Sequence, residues 1–171
     1  MIKINKALLV TSLLLPAFAY SGEAEVKWQN FDEYSDVRPG SNWKKENYYN
    51  SVKRNHEKTF RKLASKLPDG YVFSVEVTDL DLAGEVLLGN GNGNSTEPRV
   101  MSSTYSPKIT LNYTVKSNDG KVVSQDSNLK LKDMSYLDGI VMRYKDSYYY
   151  DNKLIAEWFE DKLLPSIDSA E

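Results

Sequence analysis

The sequence predicts a two-layer α+β fold: a largely antiparallel sheet of four to five strands with two helices packed on one face. Three patterns predict it. Apolar residues recur at three- and four-residue spacing in two separated segments, as in amphipathic helices. Between those segments they alternate with polar residues, as in half-buried strands. The strands follow one another through short turns, a connection that joins antiparallel neighbours.

The chain opens with a segment outside that fold. Lys3 and Lys6 give a positive start, and Ala7 to Leu15 is apolar except for Thr11 and Ser12. Pro16 breaks the run, and Ala17-Phe18-Ala19 places small residues where a signal peptidase reads. This is the pattern of a cleaved secretory signal peptide. The run is shorter than the ~20 apolar residues of a spanning helix. No cysteine follows it, so no lipoprotein anchor is expected. Removal of residues 1–19 leaves residues 20–171, the length of a single domain with its own core.

Val26 to Phe31 alternates and reads as a first strand; Asp32 to Ser41, with Pro39-Gly40, reads as a loop. From Trp43 to Leu67, the residues Tyr49, Val52, His56, Phe60, Leu63 and Leu67 form one helical face. Ser41 or Asn42 can cap that helix, and Pro68-Asp69-Gly70 stops it. Tyr71 to Thr78 is a strand with Tyr71, Phe73, Val75 and Val77 on one side. Leu80 and Leu82 fall on the opposite parity, so the strand either ends near Asp79 or carries a bulge.

Residues 89–95 read as a polar Gly-Asn loop. No helix start follows them, so they do not make a phosphate-binding loop. Arg99 to Met101 can form a short strand. Ile109 to Val115 alternates cleanly, Asn118-Asp119-Gly120 signals a hairpin, and Lys121 to Leu131 returns as its partner. Residues 133–150 are irregular and Tyr-rich. Leu154, Ile155, Trp158, Phe159 and Leu163 mark a last helix, capped by Asp151 and ended by Pro165.

Composition narrows the chemistry. The 171 residues include no Cys and one His, His56, which removes thiol nucleophiles and Cys- or His-rich metal sites. Loss of Lys3 and Lys6 moves the net charge from −2 to −4, which argues against nucleic acid as a partner.

Four places can carry function. Asp79 and Asp81, two apart at a strand end, can hold calcium or magnesium with Asp36 or Asp133. They can equally be held by turn amides or by Arg38 or Arg99. His56 sits mid-face on the first helix, where a core imidazole with one hydrogen bond is expected. That helix carries eight Lys/Arg and two Glu over residues 43–67. Lys58, Arg61 and Lys62 on its outer side suit an anionic envelope surface or an acidic partner, or simply water. Tyr136, Tyr144, Tyr148, Tyr149 and Tyr150 suit a partly wet binding surface or the rim of a core.

Together these segments resemble a bacterial family of small exported proteins known only as a domain of unknown function. The resemblance rests on Tyr34-Ser35-Asp36-Val37-Arg38, Leu63-Ala64 with Leu67-Pro68-Asp69-Gly70, Val77-Thr78-Asp79-Leu80-Asp81-Leu82-Ala83-Gly84 and Arg99-Val100-Met101. It continues through Pro107 to Tyr113, Asp133 to Leu137 and Trp158-Phe159. It implies a Gram-negative envelope context and the periplasm. It points to Asp36, Arg38, Asp79, Asp81, Arg99 and Asp133 as a polar signature, and brings no activity or cofactor. The expectation is a non-catalytic module that binds or scaffolds an envelope partner through Lys58, Arg61, Lys62, Tyr148, Tyr149 and Tyr150. The alternative is a divalent-cation site or metal-dependent hydrolase built on Asp79 and Asp81.

Overall fold

A computed structural model describes residues 22–40, 43–87, 97–138 and 146–169. The expected signal peptide, the run 89–95, Ser41, Asn42 and Tyr144 lie outside these residues. In chain order the elements are β1 (Glu23–Trp28), a 3-10 turn (Phe31–Glu33), α1 (Lys45–Ala64), β2 (Val72–Asp81), β3 (Glu85–Val86) and β4 (Arg99–Val100). They continue with β5 (Lys108–Lys116), β6 (Val122–Lys132), α2 (Tyr149–Trp158), a π turn (Phe159–Leu163) and α3 (Leu164–Asp168). The main sheet has the order β1-β2-β5-β6, and β3 and β4 form a small second sheet.

The α+β class stands, but the main sheet is mixed. β1 runs parallel to β2, from Glu23 opposite Val72 to Trp28 opposite Val77. The physical reason is α1, a 20-residue helix between the two strands. A crossover of that length returns the chain in the same direction. β2 with β5 and β5 with β6 are antiparallel, and Gly120 at φ 81° makes the second turn.

β1 starts at Glu23, and Ala24, Val26 and Trp28 are its core-side residues. Phe31 leaves the strand for the 3-10 turn, which Asn30 caps by accepting from the Asp32 N–H. α1 begins after Lys44, with no side-chain cap there. Its Val52, His56, Phe60, Leu63 and Ala64 are buried, following the predicted spacing.

Phe73 lies at the centre of the core. Its ring meets Phe60 from α1 and Phe159 from the C-terminal helix, at 6.2 and 5.4 Å between centroids. Glu25, Lys27, Ser74, Glu76, Asn112 and Thr114 instead line a shallow depression of about 270 Å³.

Pro165 does not end the last helix. It sits in the first turn of α3, directly after the π turn. Proline lacks the N–H that would bond four residues back, and its ring crowds that carbonyl. A widened turn just before it lets the helical path continue.

Of the two readings of the parity change at Leu80, the bulge is the one present. The β2–β5 register shifts between Val77 and Asp79, leaving Thr78 as the extra residue. The shift flips the parity of the strand. Phe73, Val75 and Val77 are buried before it, and Leu80 is buried after it, with Leu82 just past the strand end.

Candidate functional site

The segment Tyr34 to Asp36 is stitched along the outer end of β2. Tyr34 is buried; its hydroxyl donates to the Val77 carbonyl at 2.7 Å and accepts from the Gln29 N–H at 2.9 Å. Burial pushes its phenol up to about 12. The Ser35 N–H and hydroxyl both donate to the Asp79 carboxylate, each at 2.7 Å. Asp36 continues the stitch through its backbone. Its N–H donates to the Leu80 carbonyl, and its carbonyl accepts from the Leu82 N–H.

The acidic pair is therefore engaged locally. Asp79 serves Ser35, and Asp81 takes the Lys108 ammonium at 2.5 Å. One amide and one hydroxyl, both of Ser35, hold Asp79, and neither acid has Arg38 or Arg99 as its salt-bridge partner. Asp133 accepts from the Ser135 N–H and lies 3.7 Å from Lys153. Among the described residues no group of three or more His or acidic side chains is placed to hold a metal ion. The set Asp79, Asp81, Asp36 and Asp133 is divided among separate partners instead of converging on one point.

Asp36 turns its carboxylate the other way, to Arg99. Arg99 Nη1 donates to Asp36 and to the Gly84 carbonyl, both at 2.8 Å, and to the Leu82 carbonyl at 3.2 Å. Gly84 permits this closure. It adopts φ 76°, and a Cβ there would stand 2.5 Å from the Val100 carbonyl. Arg99 Nη2 is buried and has no hydrogen-bond acceptor. The Tyr48 hydroxyl faces the guanidinium without a well-formed bond to Nη2, and burial pushes that phenol up to about 12.

Arg99 forms one wall of a cleft of about 320 Å³. Arg38, Trp43, Tyr48, Met101 and Tyr148 supply most of the rest, and Glu97 also lines it. Trp43 is 55% exposed at the rim and meets Tyr48 edge-on at 6.1 Å. Arg38 is exposed and makes no ion pair among the described residues. Other surface depressions hold paired polar groups. On the open side of the sheet, Glu76 takes Asn112 and Gln29, and Ser74 donates to Glu25. In the groove between α1 and α2, Thr59 donates to Asn152, and Lys66 pairs with Glu160.

His56 is a core imidazole. Its Nδ1 bonds the Val52 carbonyl at 2.9 Å, and Trp28 and Tyr148 close over the ring. Burial lowers it to about 4, so the ring is neutral near neutral pH.

The tyrosines divide by burial. Tyr148 and Tyr150, expected at a binding surface, are buried; Tyr149 is at the surface. The reason is the helix start. α2 begins at Tyr149, so Tyr150 turns inward onto Tyr136, edge-on at 4.8 Å. Asp151 is not the helix cap. It lies buried in the first turn, and its carboxylate accepts the Ala83 N–H at 2.9 Å. Burial pushes Asp151 up to about 7.

The basic outer side of α1 is partly neutralised. Arg61 pairs with Glu57 and Lys45 with Asp32. Lys58 and Lys62 are exposed and make no ion pair among the described residues. The sequence singled out Arg38 and Arg99 but missed Trp43 and Tyr48 as their neighbours. Trp43 next to a basic helix start was the available signal, since an exposed indole is uncommon without use.

Fold and site together define a small α+β domain with a stitched strap and an arginine-bearing aromatic cleft. No helix among the described residues is long and apolar enough to cross a membrane. The chain belongs to the family described as protein of unknown function (DUF3016), whose model matches residues 22–161. No curated protein matches the chain.

Proposed function

We propose that this chain is a non-catalytic binding or scaffolding module of the Gram-negative cell envelope, exported to the periplasm with loss of residues 1–19. One observation carries the binding part. In a single cleft lined by Trp43, Tyr48 and Tyr148, Arg99 Nη2 has no hydrogen-bond acceptor and the exposed Arg38 makes no ion pair among the described residues. The non-catalytic part rests on His56, which is enclosed by packing and out of reach of a substrate. The export part rests on the Lys3–Ala19 pattern. A second docking surface, for an anionic envelope component or an acidic protein face, is favoured by Lys58 and Lys62, which are exposed and make no ion pair among the described residues.

The test is in-cell crosslinking of the tagged full chain, with cell fractionation and mass spectrometry of what is captured. The expected result is a periplasmic form beginning at Tyr20 and one reproducible envelope partner. Capture should fall when Lys58, Arg61 and Lys62 are reversed to Glu, or when Arg38 is changed to Ala, with the melting temperature unchanged. A chain retained unprocessed in the cytoplasm refutes export. Capture unchanged by both sets of substitutions refutes both surfaces.

A further inference from the structure

We infer that the Arg38–Arg99 cleft receives a singly charged organic carboxylate with a flat apolar body, such as an aromatic acid. The inference rests on reading this cleft as the binding site. Its volume of about 320 Å³ is at the small end of ligand pockets, enough for one or two rings.

The donors set the charge of the occupant. Three acceptors already share Arg99 Nη1, whereas Nη2 has none. A buried cationic donor without an acceptor is costly, so an incoming oxygen that reaches it gains more than one meeting a solvated group. Nη2 is closed from solvent, and Tyr48 faces the same guanidinium. A swing of that phenol would admit the oxygen. Arg38, exposed at the mouth, offers a second planar fork, and guanidinium geometry matches a carboxylate through paired bonds.

The walls set the body. Trp43, Tyr48 and Tyr148 supply aromatic lining, and Met101 adds a polarisable side chain. A flat ligand would cover Trp43, now more than half exposed. Glu97 sets the limit on charge. It lines the same cleft, and an acidic residue there opposes a doubly charged phosphate ester more than a carboxylate.

The probes are phenylacetate, its neutral amide, phenyl phosphate and a short peptide ending in phenylalanine. Each is titrated into the purified protein by calorimetry, with tryptophan fluorescence as a second readout. Phenylacetate should bind roughly tenfold or more tightly than the amide. Arg38→Gln should remove that preference, and Trp43→Ala should weaken binding of the acid, both without a change in melting temperature. Arg99 is left intact because it ties Asp36 to Gly84. Binding of the peptide but not of phenylacetate would mean that the carboxylate belongs to a chain terminus, and would overturn the small-acid inference. Equal binding of acid and amide, or tighter binding of phenyl phosphate, overturns the carboxylate while leaving the cleft as a binding site. Failure of all four probes to bind overturns the inference; if Arg38→Ala also leaves envelope capture unchanged, the cleft reading falls with it.

Discussion

Asp151→Asn isolates the consequence of burying a carboxyl group in the first turn of α2. The side chain is 4% exposed, and burial pushes it up to about 7 from an ordinary 3.8. The nearby Asp81 acts in the same sense, and Arg99 and the Ala83 N–H oppose it. Below the unfolded value the carboxyl is protonated in both states. Between the two values the folded protein holds a proton that the unfolded chain has lost. Stability therefore falls as pH rises through this window and levels off above about 7. About three units at ~1.4 kcal/mol each give a loss of about 4 kcal/mol across it. Asn keeps an oxygen for the Ala83 N–H and removes the charge. Its extra N–H₂ costs the same at every pH, and the titration of His56 is common to both proteins, so both cancel in a comparison. Urea denaturation of wild type and Asp151→Asn at about pH 4 and about pH 8 should show the variant gaining roughly 4 kcal/mol relative to wild type at the higher pH. Two stability profiles that stay parallel, offset by a constant, would refute the reasoning.

Two other perturbations follow from the same packing. Asp79→Asn weakens the two bonds from Ser35 and should cost about 1–2 kcal/mol. That loss should be equal in chelator and in calcium or magnesium; a wild-type melting temperature raised by either metal and flat in the variant would return Asp79 to the role of a ligand. Phe73→Ala empties the centre of the core between Phe60 and Phe159 and should cost about 3–5 kcal/mol by chemical denaturation. A loss below about 1 kcal/mol would mean that the neighbouring rings close the space.

Local signals were legible and long-range ones were not. The spacing Val52, His56, Phe60, Leu63 placed α1, Asn118-Asp119-Gly120 placed the hairpin, and the parity change at Leu80 exposed the bulge. Each is set within a few residues. The direction of β1 was not, because alternation looks the same in parallel and antiparallel pairs. The length of α1 was the better guide. The sequence marked the polar positions but not their partners, because the pairings span up to 63 residues, as in Asp36 with Arg99. Tyr148 and Tyr150 show the limit of composition. Tyrosine suits a wet surface and a core edge equally, and only the first turn of α2 decides which side faces inward.

The strap has a consequence for how this domain can change. Tyr34, Ser35 and Asp36 are fixed to β2 by backbone and side chains together, and Arg38 and Trp43 come only after that anchor. Substitutions at Arg38 and Trp43 can reshape the mouth of the cleft without touching the bonds that hold Tyr34 to Asp36 on β2. The domain thus separates a frame fixed by its own bonds from a mouth that can vary at little risk to folding.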